Sequence, residues 1–172
     1  RLDQNRASRL LAEKAQLAVQ DVTHVVIWGN HSTTQVPDFI HARIRGKPVE
    51  TVIQDRHWLE NDFFQLVQKR GAAIINARGK SSAGSAAQAI LDAVRDTLSH
   101  TQPGHWFSSA IVSEGNPYGI EDGLVFSFPC HKVKEEIHIV PGLDIHEFLA
   151  TKLKSTEREL LEERDLVKAL IK

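Results

Sequence analysis

The sequence predicts a mixed α/β domain, a largely antiparallel sheet packed with long helices, on three observations. Apolar residues change period along the chain, from helical spacing in 4–20 to a β-branched run at 25–28 and back again. The resulting order is helix, strand, hairpin, two helices, a meander of strands and a final helix, which lacks the regular alternation that builds a parallel doubly wound sheet. Ile40, Ala42 and Ile44 alternate with His41, Arg43 and Arg45, the pattern of a strand with one wet face, which antiparallel sheets tolerate.

Each element has its own reason. Ala7, Leu10, Leu11 and Ala18 share one face of a helix over 4–20, a stretch rich in strong helix formers. Val25 to Trp28 reads as a short buried strand. Gly46-Lys47-Pro48 breaks the alternating run before Val49 and predicts a hairpin. Leu59, Phe63, Leu66 and Val67, continued by Ile74 and Ile75, predict a helix over 56–78 that Gly71 kinks. GKSSAG (79–84) interrupts, and Ala87, Leu91, Val94 and Leu98 mark the next helix. Strands are expected at 106–113, 124–129 and 137–140, with Gly115-Asn116-Pro117-Tyr118-Gly119 as a turn. Asp144 with Glu147 three residues on predicts a capping box that opens a long charged helix running to the C-terminus.

At 172 residues, 41% hydrophobic and 25% charged, the chain suits one domain with a sizeable core. A net charge of -1, with Lys and Arg interspersed among Asp and Glu, argues against nucleic acid or an anionic membrane as partner. No apolar stretch approaches the roughly 18 residues of a membrane span. The single cysteine, Cys130, has no intramolecular partner, so a reducing compartment is expected, the cytoplasm first. The chain opens on Arg1 rather than Met, directly in a helical pattern, and the expectation is a fragment.

Several motifs are excluded. Gly79-Lys80-Ser81 lacks a phosphate loop's first glycine, since Ile74 stands there. His146-Glu147 is followed by Ala150 where a zinc-binding HExxH needs its second histidine, and nine histidines are scattered without metal-ligand spacing. Neither GxGxxG nor GxSxG occurs. What remains is at the N-terminal end. Asp3 and Arg6, three apart on a helix, face the same side. His31 follows the apolar run Val25-Val26-Ile27 within WGNHSTTQVPD. Read alone, these are a surface ion pair and a solvated histidine.

LDQNRA, IWGNHSTTQVPD, QKRGAAIINARGKSSAGSAA and GNPYGI with FSFPC, in that order, resemble malate dehydrogenase, in particular the cytosolic and chloroplast-type branch of the lactate/malate dehydrogenase family. The resemblance covers essentially the whole chain and maps onto only the C-terminal half of a family member. It implies that fold, an Asp3 that orients the catalytic histidine, an Arg6 that grips the substrate carboxylate, and His31 as proton acceptor. It also carries Ser82 to the substrate pocket, while the residue read alone is a helix cap. It implies a dicarboxylate substrate, malate or oxaloacetate, a homodimer, and a compartment that includes the chloroplast among the alternatives to the cytoplasm.

The chemistry agrees with those roles. A hydroxyl must lose a proton as hydride leaves the adjacent carbon, and imidazole, with an ordinary pKa near 6.5, suits that transfer. An aspartate on the other ring nitrogen fixes the tautomer, and a planar guanidinium matches a carboxylate with two parallel hydrogen bonds. The family's glycine-rich fingerprint, its acidic selector of NAD over NADP, its mobile-loop arginines and an asparagine near the substrate have no match in this sequence. NAD or NADP is therefore expected on an N-terminal dinucleotide-binding domain outside these residues, which make a single catalytic domain. These 172 residues alone are expected not to turn over malate. The rival readings are a lactate-type 2-hydroxy acid dehydrogenase, and a non-catalytic oligomerisation module without a cofactor domain.

Overall fold

In the computed structural model, which describes residues 1–170, α1 (Leu2–Ala15) opens the chain and buries Ala7, Leu11 and Ala12. It stops five residues short of the predicted end. Gln16 takes a left-handed conformation, and the Gln16 and Leu17 N–H groups reach back to Glu13 and Ala12 carbonyls, closing the last turn as a Schellman motif. Ala18 therefore leaves the helical face and leads into a 3-10 turn at Val19–Asp21.

The strands form three small antiparallel sheets rather than one: β1 (Val22–Thr23) with β4 (Arg43–Ile44) and β5 (Lys47–Pro48), β2 (Val26–Trp28) with β3 (Val36–Asp38), and β6 (Phe107–Val112) with β7 (Val125–Val133) and β8 (Glu136–Ile139). The predicted hairpin is the β4–β5 turn, where Arg45 (φ 48°) and Gly46 (φ 76°) supply the two positive φ values of a tight primed turn. Reciprocal bonds between the backbones of Gly29 and Ser127 (3.1 and 3.0 Å) tie the end of β2 to β7. The long meander strand runs to Val133, four residues beyond expectation, with Phe126, Phe128, Cys130 and Lys132 buried at alternate positions.

After the short α2 (Val49–Val52), the stretch predicted as one helix divides into a π-helical turn at Trp58–Asp62, α3 (Phe63–Gln68) and α4 (Arg70–Arg78). Its break is at Lys69, not Gly71, which sits inside α4. α5 (Gly84–Leu98) follows, and α6 (Glu147–Val167) closes the described chain. Residues 171 and 172, part of the predicted terminal helix, lie outside the described residues. The predicted capping box is absent: α6 starts after His146, no side chain caps it, and Asp144 instead faces His146 Nε2 at 3.6 Å. The helix begins two residues later than the box requires.

Trp28, Phe39, Phe63, Phe126, Phe128 and Leu149 fill the core. Its polar anchor is Asp38. Oδ2 accepts from Trp28 Nε1 (2.9 Å) and pairs with His41 Nδ1 (2.6 Å), and Oδ1 accepts the backbone N–H groups of Ile40 (2.8 Å) and His41 (3.1 Å). Burial pulls the His41 pKa down, but the hydrogen bond and charge of Asp38 outweigh it and hold the ring above its ordinary value. A raised folded-state pKa stabilises the fold fully below the unfolded value near 6.5, and that stabilisation disappears as pH rises through the folded value. Wild type is thus expected to lose stability relative to His41→Asn as pH climbs above about 6.5. Denaturant midpoints of both proteins across pH 5 to 9 check it, and parallel curves would refute it.

Candidate active site

The site begins with how α1 is fastened. Gln4 Nε2 donates to the Val25 carbonyl (3.0 Å) and its Oε1 accepts from Ser108 N–H (2.9 Å), while Ser108 Oγ accepts from Ile27 N–H (2.9 Å). One buried amide joins α1, β2 and β6. It fixes the first turn of α1, where Asp3 stands buried next to it.

Asp3 gathers the other two predicted residues. Its Oδ1 accepts from Arg6 Nη1 at 2.8 Å and its Oδ2 lies 3.1 Å from His31 Nε2, twenty-eight residues away along the chain. The carboxylate is 7% exposed and the imidazole 88%. His31 lies at the mouth of a cavity of about 450 Å³, walled by Ile27, Ala110, Val125 and Leu160 and edged by Asp3, Gln35, Ser108 and Ser127. Arg6 opens on a neighbouring cavity of about 380 Å³ with Asn5, Arg9, Arg70, Ser85 and Gln88. The two cavities meet at Leu2, so Asp3 is the ridge between the imidazole and the guanidinium.

The loop carrying His31 is held from α6. Gly29 has φ +90°, and a Cβ there would fall 2.3 Å from Thr156 Cγ2. Only glycine lets the two backbones approach so closely. Thr156 Oγ1 accepts from Asn30 N–H (2.8 Å). Glu159 accepts from Asn30 Nδ2 (2.9 Å), from Thr34 Oγ1 (2.5 Å) and from Ser32 Oγ, and Glu163 takes Asn30 Nδ2 as well (3.0 Å). Burial pushes the Glu159 pKa up, but the hydrogen bonds from Ser32, Thr34 and Asn30 together bring it below the usual value. One carboxylate thus grips the residues on both sides of His31.

Ser82 lies half-buried in the turn between α4 and α5. It is not among the residues lining either cavity, and α5 follows Ala83 without a side-chain cap. Ser85, three residues on, lines the Arg6 cavity. Gln4, Gln35, Thr156 and Glu159 escaped the sequence reading, which predicted the last helix only as a long charged one. A lone polar residue next to Asp3 on an otherwise apolar helix face was the available signal for Gln4. Among the described residues no three His, Cys, Asp or Glu side chains cluster as a metal site.

Fold and site together define an α/β domain in which one buried carboxylate holds both a histidine and an arginine. The family described as lactate/malate dehydrogenase, alpha/beta C-terminal domain, matches residues 1–171, and the chain belongs to that family. It is 61% identical over its full length to a malate dehydrogenase of Protochlamydia amoebophila and 49% identical over 99% of its length to one of Chlamydia caviae, covering 52% of each. The structure is similar to malate dehydrogenase from Naegleria fowleri (TM-score 0.90, 39% identity, 99% of this chain and 52% of that one). It is equally similar to Trichomonas vaginalis lactate dehydrogenase in complex with NADH and oxamate (0.91, 38%, 98% and 52%). The chain spans about half the length of the relatives it matches.

Proposed function

We infer that this chain is the substrate-binding and catalytic part of a malate dehydrogenase, acting in malate + NAD⁺ ⇌ oxaloacetate + NADH + H⁺. The carrying observation is that one buried carboxylate meets both an imidazole and a guanidinium. His31 takes the hydroxyl proton on the ring nitrogen that does not face Asp3. Asp3 orients the ring and stabilises the imidazolium that forms. Arg6, pre-aligned by the same carboxylate, receives a substrate carboxylate on the rest of its fork. Relatives named malate dehydrogenase at 61% and 49% identity support malate over lactate.

Bound nicotinamide supplies the carbon that accepts hydride, and the NADH in the Trichomonas relative's complex supports NAD over NADP. The His31 cavity suits a flat ring, with apolar walls from Ile27, Ala110, Val125 and Leu160, and among its lining residues Gln35 has a buried acceptor with no donor among the described residues. The other half of the relatives' length would hold the rest of the dinucleotide. Exposed Ile90, Leu91, Val94 and Leu98 on α5, the last 74% exposed, support a homodimer or an interface with that other half. Cys130 is a buried thiol whose pKa burial pushes up to about 12, in keeping with a filler of the core in a reducing compartment such as the cytoplasm.

The test is the ratio of kcat/KM for malate and lactate in the enzyme that joins this chain to its dinucleotide-binding half; a preference for lactate overturns the reading. In that enzyme Arg6→Lys is expected to raise KM for malate about 10- to 100-fold, because a point charge replaces a two-pronged fork. An unchanged KM would remove Arg6 from the site.

A further inference from the structure

Gln35 is 4% exposed, yet its Oε1 is buried without a hydrogen-bond partner among the described residues. Its backbone is not free to adjust. The N–H donates to the Ser32 carbonyl (3.3 Å), the carbonyl accepts from Gln68 Nε2 (2.7 Å), and Val36 next to it begins β3. A buried acceptor left unmade destabilises a fold, so native structures seldom keep one without a use. Gln35 is among the residues that line the cavity His31 and Asp3 share.

A count of donors decides what could fill it. Ser127 Oγ, also on that cavity, donates to the Ile27 carbonyl (2.6 Å), and Ser108 Oγ, which accepts from Ile27 N–H (2.9 Å), keeps its own O–H but does not bond Gln35 Oε1. Of the reactants in the reading above, on which this inference rests, malate as a dianion brings one O–H, committed to His31, and oxaloacetate brings none. The nicotinamide carboxamide carries two N–H donors in both redox states. It sits on the ring atom adjacent to the carbon that exchanges hydride, and so belongs in the cavity where the hydroxyl meets His31. We propose that Gln35 binds the nicotinamide carboxamide, its Oε1 accepting an amide N–H and so setting which way the ring faces.

Gln35→Met keeps the side chain's length and removes its polar atoms. Calorimetric titration of the two-half enzyme with NAD and with its 3-acetylpyridine analogue, whose methyl ketone has no N–H, separates the contact from packing. Expected are an approximately fivefold weaker Kd for NAD in the variant, the worth of one neutral hydrogen bond, an unchanged Kd for the analogue, and a melting temperature equal to or above wild type. Equal weakening of both dinucleotides, or of neither, overturns the inference and leaves the dehydrogenase reading standing on wild-type turnover. Wild type that binds neither dinucleotide overturns both. Should Gln35→Met fail to fold, Gln35→Asn, which withdraws the acceptor by one methylene, is held to the same contrast.

Discussion

His31→Asn in the two-half enzyme is expected to lower kcat for malate oxidation about 10²- to 10⁴-fold, the usual worth of a positioned general base, with no change in melting temperature. The second half of that expectation comes from exposure. The imidazole is 88% exposed and one of its nitrogens meets only Asp3, so the fold does not lean on it. Asp3→Asn separates the two roles. It is expected to match the loss in kcat, since an amide can hold the wrong tautomer. It should also destabilise the protein by about 1–3 kcal/mol, because the Arg6 guanidinium, 15% exposed, loses its charged partner. Steady-state kinetics beside thermal melts check both; a His31→Asn protein with wild-type kcat would remove the acid–base reading altogether.

Gly29→Ala is expected to be the most damaging Gly→Ala change among the described glycines. The backbone there has φ +90°, which costs an L-residue about 1–2 kcal/mol. The new Cβ would also lie 2.3 Å from Thr156 Cγ2, 2.4 Å from Oγ1 and 2.8 Å from Cβ. No rotamer of Thr156 relieves a clash with its own Cβ, so α6 must shift, and overpacking adds about 1–3 kcal/mol. Gly46→Ala is the control. It has φ +76° with nothing within 4 Å, so it carries only the conformational cost. Chemical denaturation of the two variants should show Gly29→Ala losing at least twice as much as Gly46→Ala, and its kcat should fall too, because α6 holds the His31 loop. Equal losses would mean that the Thr156 contact yields easily.

The physical reach of sequence reading shows in which elements it found. Helices and strands whose signal lies within their own residues were legible: α1 from Ala7 and Leu11, β2 from its β-branched run, the β6 to β8 meander from strand-like segments separated by the 115–119 turn. β1 and β3 were not, being two and three residues long and existing only because Val22 and Val36 find partners elsewhere in the chain. The end of α1 and the start of α6 were misjudged for a related reason: Gln16 and His146 carry no strong stop or start preference, and tertiary packing chose between nearly equal conformations.

The sequence by itself determined the fold class and the family, and singled out Asp3, Arg6 and His31 as candidates, because residue type and short spacing encode those. Tertiary structure alone decided that Asp3 meets His31 and Arg6 at once, that Thr156 and Glu159 hold a loop more than a hundred residues away in the chain, and that Gln35, on the cavity that His31 also lines, keeps a buried acceptor without a partner among the described residues. Such pairings arise from the closure of long loops around a shared core, and no local pattern in a single chain records which distant residue will be met.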